Sequence, residues 1–190
     1  MVFDPCLISP AALYDSKECL DDLSKDLKGE LTLVSSFTTT CEKERCETLH
    51  LRQTLTLEVA PHECDSDLGS LFNGVLRTKD LTTLYADGSP DRRGIHTATF
   101  SWAGAGVLVR GRLQGMTNVG THREPFFEPV QRCKEFLVME GRLCGYVSRS
   151  KDPRIPARSP VVAAYRFRLL DKPEAGGICG TLEGSLVRFC

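Results

Sequence analysis

Long apolar runs are missing from this chain. No stretch approaches the roughly 18 apolar residues that a membrane-spanning helix needs, and the start, MVFDPCLISPAALYD, has neither a basic region nor a long apolar core of the kind that directs export. These absences predict a cytoplasmic protein without a membrane partner. An excess of one charge is missing too: 24 basic residues face 25 acidic ones, so no global field favours a nucleic-acid partner. The asymmetry is local, with a net charge of -4 over residues 1–30 and +5 over residues 110–158, a pattern that solvated faces commonly show. No phosphate-binding Gly-rich loop ending in Lys-Ser/Thr is present, no G-x-G-x-x-G opens a helix, and no G-x-S-x-G elbow or H-E-x-x-H helix occurs. Nucleotide-dependent, serine-hydrolase and common metalloprotease chemistries therefore lack support, and no cofactor is expected.

Cysteine is plentiful by contrast. Nine are present, an odd number without the close, even spacing of a secreted disulfide framework. In a reducing compartment most read as small buried hydrophobes. The nearest approach to a metal site is C-x4-C-x3-H at Cys41, Cys46 and His50, followed by His62 and Cys64. Thiolate and imidazole suit zinc, but the spacing is not a standard one. A disulfide between Cys41 and Cys46 across a hairpin, or plain thiols, are the other readings.

A change of hydrophobic period organises the chain. From Ser9 to Gly29, Leu13, Leu20, Leu23 and Leu27 recur near 3.6 residues behind a Ser9-Pro10 start, which predicts an amphipathic helix over residues 9–29. From Leu31 the period drops to two. Strands are expected from Leu31 to Phe37 and, with one phase adjustment, from Leu49 to Val59, joined by a turn at CEKERC. Two short strands follow within Leu71–Tyr85, then Ile95–Trp102, Gly106–Val119, Phe136–Ser148, Val161–Leu170 and Ile178–Phe189, with long loops at 121–135 and 151–160. About eight or nine strands without intervening helices exclude a parallel α/β sheet. They predict a mostly all-β chain, one domain over residues 1–190 built as a single antiparallel barrel, with the helix packed on it.

Three pentapeptides of the form Gly-x-Leu-x-Gly favour a barrel over a sandwich: Gly111 to Gly115, Gly141 to Gly145, and Gly180 to Gly184. Glycines inside strands mark bends or close backbone approach, as in a closing barrel. With these elements and the terminal Gly-Thr-Leu-Glu-Gly strand, residues from about Leu31 to Cys190 resemble small β-barrels of the lipocalin (calycin) type or of the allene oxide cyclase and dirigent type. The Gly-x-Trp motif of lipocalins is absent, since Trp102 follows Phe100-Ser101. The resemblance implies a cavity, open at one end, that holds an apolar small molecule, in some relatives as carrier and in others as cyclase or isomerase.

Candidate site residues fall in three groups. The segment Thr117–Glu124 gathers polar groups at a barrel rim, with His122 as an acid or base and Asn118 as a ligand contact. The x-positions of the pentapeptides carry Arg112, Gln114, Arg142 and Glu183, with Glu140 nearby. If that face lines the lumen, Arg142 and Glu183 join His122 as catalytic groups, and Arg112, Gln114 and Glu140 contact ligand. If it faces solvent, the charges are ordinary surface pairs, which the three leucines of the opposite face favour. Phe100 and Trp102 share one strand face with His96 and, together with Tyr165, are taken as cavity wall. The expected function is binding of an apolar small molecule, with cofactor-free cyclisation or isomerisation of a hydrophobic or polyketide-like substrate as the catalytic version. The alternatives are a protein-interaction module docking through residues 121–135 and a zinc-stabilised cysteine-rich structural protein. The oligomeric state is left open.

Overall fold

Alternation of buried and exposed side chains governs this chain from its first described residues. The computed structural model describes residues 18–41, 46–86, 88, 93–121, 135–169 and 177–189. Eight strands, β1 (Glu18–Thr40), β2 (Glu47–Pro61), β3 (Gly74–Ala86), β4 (Gly94–Gly104), β5 (Val107–Thr121), β6 (Glu135–Ser150), β7 (Pro160–Leu169) and β8 (Ile178–Phe189), pair antiparallel in sequence order, and β8 closes on β1. The antiparallel barrel expected from the sequence is the observed architecture. Following paired residues around the wall from Phe37 through His50, Leu84, Ile95, Met116, Glu140, Arg166 and Thr181 leads back to β1 at Asp26. The ring does not close on its own starting residue, so the strands are strongly tilted, as closure of a small barrel requires.

The helix predicted over residues 9–29 is overturned where it can be seen. Residues 18–29 form the lower half of β1, paired with β8 from Glu18↔Phe189 to Gly29↔Ile178, and residues 9–17 lie outside the described residues. Leu23, Lys25 and Leu27 all point inward and are buried. A lysine in an inward position broke the apparent alternation and left a leucine spacing that imitates a helix. Gln53 did the same in β2. It occupies an inner position in phase with Leu55, Leu57 and Val59, so the strand needs no phase adjustment. In β3 the two short stretches are one strand, bulged where the register shifts between Lys79 and Thr82 and where Asp80 adopts φ 56°.

One end of the barrel is plugged. The link from β2 to β3 carries a short 3-10 helix, Gly69–Phe72, whose Phe72 is fully buried against Trp102 with ring centroids 5.6 Å apart. Trp102 donates its indole N–H to the Phe72 carbonyl at 2.7 Å. Lys25 reaches into the same link. Its ammonium pairs with the Asp65 carboxylate and donates to the Gly69 carbonyl at 2.7 Å and to Asn73 Oδ1 at 2.8 Å. The loop expected at 151–160 turns back on the same end and buries Ile155. At the opposite end, Leu31, Leu137 and Leu169 are only partly buried and pack on the core.

The glycines of the pentapeptides face inward with their leucines. Gly115 pairs with Gly141, and the two backbones approach so closely that a Cβ on Gly141 would lie 2.1 Å from the Gln114 carbonyl oxygen. Gly141→Ala is therefore expected to cost about 2–3 kcal/mol by overpacking, read as a shift of the urea midpoint at constant slope. A loss below about 0.5 kcal/mol would show that the two strands can separate cheaply.

Candidate functional site

Away from the plugged end, where Lys25 and Ser159 are buried, the described interior is apolar except for one polar band. On β4, alternate residues His96, Ala98, Phe100 and Trp102 face inward and are buried. His96 stands opposite Thr83 of β3 on one side and Gly115 of β5 on the other. The same ring of paired positions continues through Gly141 of β6 to Tyr165 of β7. Two successive glycines thus lie between the histidine and the tyrosine, and the space that side chains would fill there lets the imidazole and the phenol meet. His96 Nε2 lies 2.5 Å from the Tyr165 hydroxyl, and Nδ1 lies 2.8 Å from Thr117 Oγ1 on β5. Beside them, Thr83 donates to Gln53 Oε1 at 3.1 Å. The band therefore runs Gln53, Thr83, His96, Thr117, Tyr165 across five strands.

Burial sets the protonation of this band. His96 has no solvent exposure, and desolvation of its charged form pushes the imidazole down to about 4. Burial also holds the Tyr165 phenol well above its ordinary value, and pushes Tyr85 up to about 12. Near neutrality the imidazole is uncharged, with one ring nitrogen donating and the other accepting. Either tautomer satisfies both contacts. With the proton on Nδ1, His96 donates to Thr117 and accepts from the phenol. With the proton on Nε2, it accepts from Thr117 and donates to the phenol oxygen, which frees the Tyr165 O–H for a third group. The chain Thr117–His96–Tyr165 can thus carry its hydrogen bonds in either direction within a buried interior, where hydrogen bonds are stronger than in water.

The residues proposed from the sequence separate by face. Phe100, Trp102 and Tyr165 line the interior, although Trp102 belongs to the plugged end and Phe100 packs over Gly145, whose added Cβ would come 2.9 Å from the ring. Arg112, Gln114, Glu140, Arg142 and Glu183 are exposed on the outer wall. They do not line the lumen, because Leu113, Leu143 and Leu182 occupy the inward phase. Asn118 is half-buried on the same outer face. Glu140, Arg142 and Glu183 do come together, with Arg166 and Thr181, around a shallow outer depression of about 430 Å³, in which Arg166 pairs with Glu140 at 3.7 Å. His122 lies outside the described residues, as does nearly all of the docking loop at 121–135.

The metal reading is corrected at its centre. Cys41 and Cys46 form a disulfide across the β1–β2 hairpin, which removes both thiolates as ligands. His50 stacks on Phe37 at 4.4 Å, His62 sits 3.0 Å from Asp26, and Cys64 is a free exposed thiol. No group of three or more metal-ligating side chains occurs among the described residues. Cys19 and Cys144 are disulfide-bonded as well, so the expectation of mostly unpaired thiols in a reducing compartment does not hold for these four. No helix among the described residues is long and apolar enough to cross a membrane.

Sequence reasoning placed His96 on the correct face but gave it no role, and it overlooked Thr83, Gln53 and the plug residues Lys25, Asp65 and Asn73. The usable signal was a histidine in an otherwise apolar alternating strand. No protein-family model, curated protein or solved structure matches the chain. Function has to be read from its own residues.

Proposed function

We propose that the barrel binds an apolar small molecule carrying an oxygen function, taken up at the end opposite the plug and held against Tyr165. The observation that carries this reading is the Thr117–His96–Tyr165 chain, a satisfied polar relay built into an apolar interior in which two glycines make room for it. Eight-stranded barrels of this kind have an interior of the size that side chains fill or that one small ligand occupies. Ligand sites combine apolar walls with a few placed polar groups. Leu31, Leu137 and Leu169 supply the apolar approach, and Tyr165 supplies the donor.

The catalytic version is a cofactor-free cyclisation or isomerisation. Tyr165, its O–H freed when His96 carries its proton on Nε2, donates a hydrogen bond to a carbonyl or epoxide oxygen as negative charge develops there. The His96 Nε2–H supports the phenol oxygen, Thr117 donates to Nδ1, and every proton stays on its own group as the charge collapses in the rearranged product. The walls restrict the substrate to a folded conformer.

Tyr165→Phe removes the hydroxyl and keeps the ring. In a fluorescence titration with a carbonyl-bearing, polarity-sensitive apolar dye, the variant is expected to bind about three- to tenfold more weakly, the range for one neutral hydrogen bond. Absence of saturable binding by the unmodified protein, or equal affinity of the two proteins, would overturn the proposal.

A further inference from the structure

The Tyr85 phenol is buried without a hydrogen bond. The residue is 1% exposed, and among the described residues its hydroxyl has no partner. Burial alone pushes it up to about 12. The comparable groups nearby are satisfied: the Trp102 indole donates to the Phe72 carbonyl, and the Tyr165 hydroxyl meets His96. A buried hydroxyl left unpaired is costly, and native proteins nearly always supply a protein, water or ligand partner. Gln53 repeats the pattern at 8% exposure. One end of its carboxamide accepts from Thr83, while the end bearing two N–H donors has no partner among the described residues.

Both groups stand beside the polar band. Tyr85 follows Thr83 by two residues, so the two share the inner face of β3, with Tyr85 nearer the open end. It lies opposite Gly94 of β4, which in turn lies opposite Thr117 of β5, the partner of His96. The Tyr85 ring covers that glycine, since a Cβ there would come 2.8 Å from ring carbon Cε1. Gly94 thus gives this tyrosine room, as Gly115 and Gly141 do for His96 and Tyr165. Among the described residues Lys25 is the one charged side chain in the core, and it is engaged at the plug by Asp65.

We propose that Tyr85 and the free end of Gln53 form a second polar anchor, so that the molecule taken up by the barrel carries two neutral oxygen functions on an apolar frame, one held at Tyr165 and the other at Tyr85. This rests on the ligand-binding reading given above. The chemical class follows from the donors. The Tyr85 O–H and the Gln53 N–H groups both call for an acceptor, such as a ketone, ester or hydroxyl oxygen. A carboxylate is disfavoured, because no cation faces the pair to offset its burial. A molecule with a single oxygen function leaves one anchor unpaired, and sites built to hydrogen-bond a group discriminate against analogues that lack it.

Competition against the carbonyl-bearing dye tests this, with methyl decyl ketone as one probe and, as the others, diketones of the same chain length whose second carbonyl is moved along the chain. At least one diketone is expected to compete about three- to tenfold better than the monoketone, the range for one added neutral hydrogen bond. Tyr85→Phe is expected to bring that ratio close to one. In the protein without ligand, Tyr85→Phe should leave the urea midpoint unchanged or higher, because the hydroxyl it removes is unpaired. No advantage for any diketone, an advantage that survives Tyr85→Phe, or a lowered urea midpoint would each overturn the second anchor. The first anchor is read separately: monoketone binding that Tyr165→Phe weakens leaves the ligand-binding reading standing even if the second anchor fails, and absence of binding by every probe overturns both.

Discussion

Lys25→Met is expected to lower folding stability by about 3–5 kcal/mol, the usual cost of removing one partner from a buried ion pair. Lys25 is fully buried and holds three groups of the plug at once: the Asp65 carboxylate, the Gly69 carbonyl and the Asn73 amide oxygen. Removing the ammonium leaves Asp65, which is 10% exposed, as an uncompensated charge that, among the described residues, still accepts the Ser24 N–H at 3.3 Å. For a chain of this size the melting temperature should fall by on the order of 10 °C. Adding Asp65→Asn should recover part of the loss, because it removes the stranded charge while leaving the orphaned carbonyl. As a control, Asp21→Asn breaks the Arg188–Asp21 pair, which is 19% exposed on both sides and should cost less. A loss under 1 kcal/mol for Lys25→Met, or a double variant no better than the single one, would show that the plug does not depend on this lysine.

Acidification from pH 6.5 to pH 4 is expected to remove about 3 kcal/mol of stability through His96 alone. The folded protein keeps this imidazole neutral down to about 4 because burial penalises its charged form. In the unfolded chain the same group binds a proton near 6.5. Between those values the unfolded state holds more protons, so stability falls as pH falls, and the loss levels off once the folded imidazole is protonated too. The groups against His96 are the neutral Thr117 hydroxyl and the neutral Tyr165 phenol, so no neighbouring carboxylate offsets the cost. His96→Gln should be less stable than the unmodified protein at pH 7, with the gap closing as pH falls to 4. Carboxylates titrate in both proteins and cancel in the difference. Parallel urea-denaturation curves across that interval, with a constant gap, would rule out a buried neutral histidine.

How much of this was legible follows from which interactions are local. Alternation in β4 through β8 is carried by leucines, valines and aromatics two residues apart, so the strands, the turns at Gly104 and Cys41–Cys46, and the inward phase of the pentapeptide leucines could be read directly. The helix assigned to residues 9–29 failed for residues 18–29 because Lys25 holds an inward position for the sake of Asp65, 40 residues away. Local pattern cannot see a partner at that distance. The relay was hidden for the same reason. His96 meets Thr117 across 21 residues and Tyr165 across 69, and nothing in a window of the sequence associates the three. The charges at Arg112, Arg142 and Glu183 looked like chemistry because they cluster on one strand phase, yet that phase faces water.

The sequence by itself determined that this is an antiparallel barrel and that its glycines sit where strands approach closely, because strand period and glycine sterics act over a few residues. Only the tertiary structure decided which polar residues are interior. Closure of the barrel brings β4 and β7 to the same level, and two facing glycines on β5 and β6 leave the gap that His96 and Tyr165 fill. Those glycines were visible in the sequence as markers of curvature, and the folded barrel gives them a second effect, room for the polar groups inside.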